Sequence, residues 1–261
     1  MRTSNFFKFF SNNFESLGLK KLITTGYKVD GKGVKLVYEG DKNGNFMVDD
    51  TEVVVTELEG NGDFRSEECI ELLKECDVVV TNPPFSLFRE YVAQLMEYGK
   101  KFIIIGNGNA VTYKEIFPLI KNNELWIGAS KGIGGKFSFI VPNDYDNKFV
   151  YEENGVRLGQ VNSACWFTNI SHTKRNTPLD LYKKYSADEY PKYDNYDAIE
   201  VSKVSEIPMD YEGVMGVPIT FLDKYCPTQF EIIKFRKGDD DKDLSVNGKC
   251  PYFRILIRRK K

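Results

Sequence analysis

Phe6, Phe7, Phe10, Phe14 and Leu17 recur at helical spacing, so residues 5–17 are expected to form an amphipathic helix closed by Gly18. Three β-rich stretches follow: Lys21–Tyr27, Val34–Tyr38 and Thr51–Leu58. The last two flank Asp41-Lys42-Asn43-Gly44-Asn45, a turn signal. Ser66 is placed to cap a short helix. Glu67 and Glu68 fall in its first turn, where the dipole favours acids, and Ile70, Leu72 and Leu73 form its apolar face. Asp77–Thr81 (DVVVT) is a continuous apolar run, the pattern of a parallel strand buried on both faces. Leu87, Phe88, Tyr91, Val92, Leu95 and Met96 make one stripe over Ser86–Tyr98, which predicts a helix ending at Gly99. Lys101–Gly106 is a second buried strand and Tyr113–Asn122 a further helix.

Residues 66–106 thus alternate α-β-α-β, which implies a right-handed crossover and the α/β class. Past residue 125 the character changes. Strand-like pieces at Phe137–Val141, Ala164–Thr168 and Ile199–Val201 alternate with polar, Gly- and Tyr-rich loops. A soft boundary near 125 separates residues 1–125 from 126–261, and later strands are expected to return to the same sheet.

Composition narrows the classes only a little. The 261 residues are 41% hydrophobic and 28% charged, ordinary for a globular chain. A net charge of −2 gives no global positive field, although a basic cleft can sit on a balanced chain. Cys69, Cys76, Cys165, Cys226 and Cys250 are odd in number and form no CxxC pair, so reduced thiols are expected rather than a disulfide framework or zinc site. No apolar run approaches the roughly 20 residues of a membrane span, and the N-terminus has no signal-peptide core. A cytoplasmic protein with no membrane contact is the expectation.

The chemistry sits at Asn82-Pro83-Pro84-Phe85, directly after a buried strand and before a helix. Ligands of open α/β sheets bind at such strand ends. An exocyclic amine conjugated to an aromatic ring is a poor nucleophile. Two acceptors holding its hydrogens draw the lone pair out of the ring. Asn82 offers a side-chain oxygen and Pro83 a backbone carbonyl; Pro83 and Pro84 fix the backbone in advance. Phe85 can stack on a base flipped from a duplex. The plain alternative is a strand-to-helix turn that Asn82 caps and the prolines stop.

Other constellations carry less. Gly132-Ile133-Gly134-Gly135-Lys136 lacks the first glycine and the Ser/Thr of a phosphate loop and reads as a flexible loop within reach of a DNA backbone. Asp239, Asp241 and Asp243 alternate as in a calcium loop, but Leu244 stands where glycine is needed and no Glu closes it, so a solvated acidic loop is expected. His172 is the single histidine, without a partner for metal, and reads as a surface loop residue. No metal is expected. Arg254–Lys261 ends in four cations and reads as a solvated terminus or a phosphate contact. The Tyr190–Tyr196 stretch can supply packing or base stacking.

Gly62-Asp63-Phe64-Arg65-Ser66, DVVVTNPPFSLFREYV, KFIIIGNGNAVTYKEIFPLI and GVMGVPITFLDKY together resemble the EcoRI-type adenine-specific DNA modification methylases, from about Thr3 to Phe235. The resemblance implies a class I methyltransferase domain: a Rossmann-like mixed sheet with helices on both faces. It further implies S-adenosylmethionine as methyl donor, adenine in double-stranded DNA as acceptor and N6-methyladenine as product, in a restriction-modification setting. Residues 126–261 would hold target recognition. Asp63 matches the family's acidic position, where a carboxylate accepts from the cofactor's adenine amine, and Phe64 would pack on that ring. Ser4, Asn5 and Phe6 match the start of the helix beneath the methionine moiety. The family's first strand, with its cofactor loop, precedes the point matched by Met1 and is therefore expected to be missing. Lys21–Tyr27 and Asp77–Thr81 would then have unpaired edges, and stability and cofactor binding would be poor unless an upstream segment or a separate polypeptide supplied the strand. Two other readings stay open: methylation of a protein glutamine or RNA base, and an inactive or split-subunit DNA-binding relic.

Overall fold

The computed structural model describes residues 4–130, 132–133, 135–146 and 149–260. The chain divides into two compact units, Met1–Thr81 with Met96–Lys100, and Asn82–Leu95 with Lys101–Lys261.

The first unit opens with α1 (Asn5–Asn12), shorter than its apolar spacing predicts. Ser11 and Asn13 compete with the helix through local bonds, Ser11 Oγ to Lys8 O and Asn13 Nδ2 to Phe9 O, and turns carry the chain on to Gly18 at φ 63. β1 (Leu22–Gly26), β2 (Val34–Tyr38) and β3 (Val53–Glu57) form an antiparallel meander in that order. Phe7, Phe14, Leu36, Tyr38 and Val53 close its core, where Phe14 and Tyr38 meet edge to face at 5.1 Å. α2 (Glu67–Glu75) begins where Ser66 Oγ accepts from Cys69 N at 3.3 Å. β4 (Val78–Thr81) follows. It is not buried on both faces as DVVVT suggests: Val78 is 48% exposed and the rest half-buried, because β4 is an edge strand.

In the second unit a 3-10 turn, Phe85–Leu87, leads into α3 (Phe88–Glu97), which buries Phe88, Val92 and Leu95. β5 (Lys101–Asn107) comes next. α4 (Phe117–Lys121) is half the predicted helix, because Pro118 is tolerated only in the first turn and so sets its start. β6 (Trp126–Ile127), β7 (Lys136–Ile140), β8 (Val150–Glu153), β9 (Val156–Asn162) and β10 (Ala164–Thr168) follow. β10 lies antiparallel between β5 and β6, so a late strand does return to the earlier sheet. β7, β9 and β8 form a separate antiparallel sheet.

After α5 (Thr173–Asn176), β11 (Ala198–Glu200), β12 (Val214–Pro218), β13 (Phe230–Phe235) and β14 (Arg254–Arg259) build a mixed sheet of order β11-β12-β14-β13. The basic C-terminal segment is therefore no solvated terminus. β14 is an interior strand whose Ile255, Leu256 and Ile257 are fully buried. Of its cations, Arg258 pairs with Glu231 at 3.3 Å and Lys260 Nζ donates to Pro227 O at 2.7 Å; Lys261 lies outside the described residues. Tyr190 and Tyr193 are core residues rather than stacking platforms. All five cysteines are free thiols. Among the described residues no helix is long and apolar enough to cross a membrane.

Candidate active site

β4 delivers the chain to Asn82, whose side chain is exposed. Pro83 is buried, and Pro84 at φ −53, ψ 134 turns the backbone into the 3-10 turn. The Pro84 carbonyl is consumed there by Leu87 N at 2.9 Å. Among the described residues nothing donates to the Asn82 side chain or the Pro83 carbonyl. Two acceptors are thus left free at the end of a strand, and Phe85, 40% exposed, stands beside them on the chain.

A feature not singled out in the sequence anchors this turn. Phe88, three residues after Phe85, is fully buried, and its ring packs where a side chain on Gly106 of β5 would stand. The ring also meets Phe167 of β10 at 4.9 Å. The Gly-Asn-Gly run after an apolar strand was the available signal. Gly106→Ala would drive a methyl into the Phe88 ring. It should cost about 1–3 kcal/mol of stability, read by urea denaturation, and lower turnover by shifting the turn. Unchanged stability would mean that Phe88 does not hold the turn. Opposite Gly106 in register, burial pushes the Cys165 thiol up to about 12, with Asp223 adding to it. It is a neutral packing group, not a nucleophile.

Asp63, Phe64, Ser4, Asn5 and Phe6 lie in the other unit. The turn before Asp63 is held to the β1–β2 hairpin by Lys28 N to Asn61 O and Gly33 N to Gly60 O, at 2.9 and 2.8 Å. Gly62, at φ 82, approaches Gly26 O too closely for any side chain. Asp63 Oδ1 accepts from both the backbone and Nε of Arg65 at 2.9 Å, and Oδ2 from Arg65 Nη2 at 2.7 Å. Those Arg65 bonds hold the Asp63 carboxyl below the usual carboxylate range. Phe64 is half-buried, with the Arg65 guanidinium 5.3 Å from its ring centre. Ser4 precedes α1 without a side-chain cap, Asn5 is exposed and Phe6 half-buried.

Three readings of minor motifs change. Ile133 N donates to Asp223 Oδ1 at 2.7 Å, and Gly132 leaves no room for a side chain against that carboxylate, so the glycine loop is pinned there; Gly134 lies outside the described residues. His172 is a structural cap, accepting at Nδ1 from Arg175 N while Nε2 reaches Ile127 O at 2.9 Å. In the acidic loop Asp243 is bound by Arg236 at 2.6 Å and Lys237 at 2.9 Å, and these bonds, Arg236 first, take it down to about 2.

On an α/β scaffold, a strand-end turn with two unclaimed acceptors and an exposed ring can hold a planar amine. Residues 1–260 match the family described as adenine-specific methyltransferase EcoRI, and the chain belongs to that family. It is an adenine-specific methyltransferase. It is 53% identical over 274 residues to the type II methyltransferase M.EcoRI of Escherichia coli, covering all of this chain and 83% of that protein. It is 38% identical to M.MgeORF184P of Mycoplasma genitalium, covering 99% of this chain and 85% of the relative. It is also 38% identical to M.MpnI of Mycoplasma pneumoniae, covering 98% and 84% respectively. No solved structure matches the chain significantly.

Proposed function

We propose that this chain transfers a methyl group from S-adenosylmethionine to the N6 amine of adenine in a specific double-stranded DNA sequence, in the cytoplasm. The observation that carries the reading is the pair of unclaimed acceptors, Asn82 and the Pro83 carbonyl, on a backbone fixed by Pro83 and Pro84. They would each take one N6 hydrogen and turn the nitrogen lone pair out of the ring toward the incoming methyl. The bound cofactor supplies an electrophilic methyl on a sulfonium. Phe85 would stack on the flipped base, and one N6 proton leaves to solvent once the new N–C bond has formed. The chain's contribution is orientation and electrostatic matching.

Asp63 fits the cofactor's adenine amine. Each carboxylate oxygen has two lone-pair directions. Oδ1 has both engaged by Arg65, whereas Oδ2 has one engaged and one left for a donor. Phe64, and Ser4 to Phe6 at the start of α1, complete the proposed cofactor site. Residues 126–261 are proposed as the recognition region. We read the sheets as a Rossmann-like arrangement.

The deciding experiment incubates the purified chain with S-adenosylmethionine and duplex DNA, then digests the product for mass spectrometry. N6-methyladenine is the expected product, and sequencing of the DNA gives the site. Methylated RNA or methylglutamine in place of N6-methyladenine would overturn the reading.

A further inference from the structure

The connection from β2 to β3 reads Asp41-Lys42-Asn43-Gly44-Asn45-Phe46-Met47-Val48-Asp49-Asp50-Thr51-Glu52. Counted from Asp41, oxygen-bearing side chains fall at positions 1, 3, 5, 9 and 12, the spacing at which a twelve-residue loop wraps calcium. In such loops position 7 gives a backbone carbonyl, here that of Met47, and the position-12 carboxylate binds through both oxygens. Position 6 is ordinarily glycine. Phe46 stands there and takes φ 58, the left-handed conformation glycine would supply. Val48, at position 8, packs on the core around Phe7 and Leu36.

Glu52 provides an independent observation. It is 5% exposed, Oε1 accepts from Lys42 N at 2.7 Å and Asn43 N at 3.2 Å, and Oε2 is buried without a partner among the described residues. Leaving a buried carboxylate oxygen unpaired is costly. The neighbouring ammonium does not relieve it, because Lys42 Nζ is bound to Glu39 at 2.9 Å. A cation in the loop would. We propose that Asp41–Glu52 is a calcium site whose ligands are Asp41, Asn43, Asn45, the Met47 carbonyl, Asp49 and both oxygens of Glu52.

Asp41 and Asp49 are already oriented by the loop backbone. Asp41 accepts from Gly44 N and Phe46 N at 2.7 Å, and Asp49 from Thr51 N at 2.8 Å. Among the described residues no three His, Cys, Asp or Glu side chains are already gathered around a metal position. A loop using two amides and a carbonyl does not require it, since such loops tighten on the ion. The all-oxygen set selects a hard cation, and its number and flexibility favour calcium over magnesium. The ion would be structural, tying the β2–β3 hairpin to the core through Val53, the residue after Glu52.

The test uses the full chain, stripped with EGTA and desalted, titrated with CaCl2 by calorimetry and melted with and without calcium. One site is expected, with Kd on the order of 10–100 µM given three carboxylates and the strained Phe46, and magnesium weaker by about tenfold or more. Calcium should raise Tm. The exposed Asn45→Ala combined with Asp41→Asn should weaken binding at least about tenfold and leave methylation in EGTA unchanged. Glu52→Gln should abolish binding, yet in EGTA melt no lower than the parent, because it removes an unpaired buried charge. If folded parent protein gives neither heat nor a Tm shift at calcium on the order of 1 mM, or if the Asp41→Asn/Asn45→Ala protein responds like the parent, the proposal is wrong.

Discussion

Asn82→Ala is expected to lower methyl transfer by about 10²–10³-fold, the usual loss when one pre-placed hydrogen-bonding group is taken from a reacting centre. The fold should survive, because Asn82 is exposed and its side chain has no partner among the described residues. Urea denaturation of the variant should therefore overlay that of the parent. Asn82→Asp keeps an acceptor oxygen and should retain more activity than alanine. Phe85→Ala acts on a different step, handling of the flipped base, and should cost about 1–3 kcal/mol. Phe85→Trp should do better. Initial rates with labelled methyl donor check the series. A folded Asn82→Ala enzyme with a near-normal rate would remove Asn82 from the mechanism, and alanine outperforming tryptophan at 85 would remove stacking.

The second large effect is on stability. Arg254 opens β14 and reaches Glu200 at the end of β11, with Nη2 to Oε1 at 2.6 Å and Nε to both oxygens at 2.8 and 3.0 Å. The two side chains are 12% and 9% exposed. Tyr193 donates to the same carboxylate from its buried hydroxyl, in the space that Gly216 leaves open. Burial first, and Glu200 second, hold that phenol protonated well above its usual range. Arg254→Ala strands a buried carboxylate and should cost about 3–5 kcal/mol. Against a typical total of about 5–15 kcal/mol, that takes much of the protein's stability. Arg254→Lys should recover only part, since an ammonium cannot match the bidentate geometry. Replacing Glu200 and Arg254 together by methionine should cost much less than Arg254→Ala, because no charge is left alone. Chemical denaturation measures all three, and an additive double variant would mean that the pair is not coupled.

What the sequence determined by itself was local. Val34–Tyr38 and Ala164–Thr168 are strands at the expected residues, and Ser66 caps α2, because strand pattern and cap chemistry act over a few neighbours. The family was legible because the Asn82–Phe85 motif and its flanks are contiguous along the chain. Tertiary structure decided what distant partners decide. Arg254–Arg259 has the composition of a solvated terminus, and only β12, β13 and Glu200 make it an interior strand. Val78–Thr81 has the composition of a doubly buried strand, and only its place at a sheet edge exposes it. Gly106 means nothing until the Phe88 ring is known to need its space. Asp41–Glu52 reads as a turn until the burial of Glu52, with one oxygen unanswered, is seen. Burial and pairing are properties of what comes to lie beside a residue, and composition along the chain does not carry them.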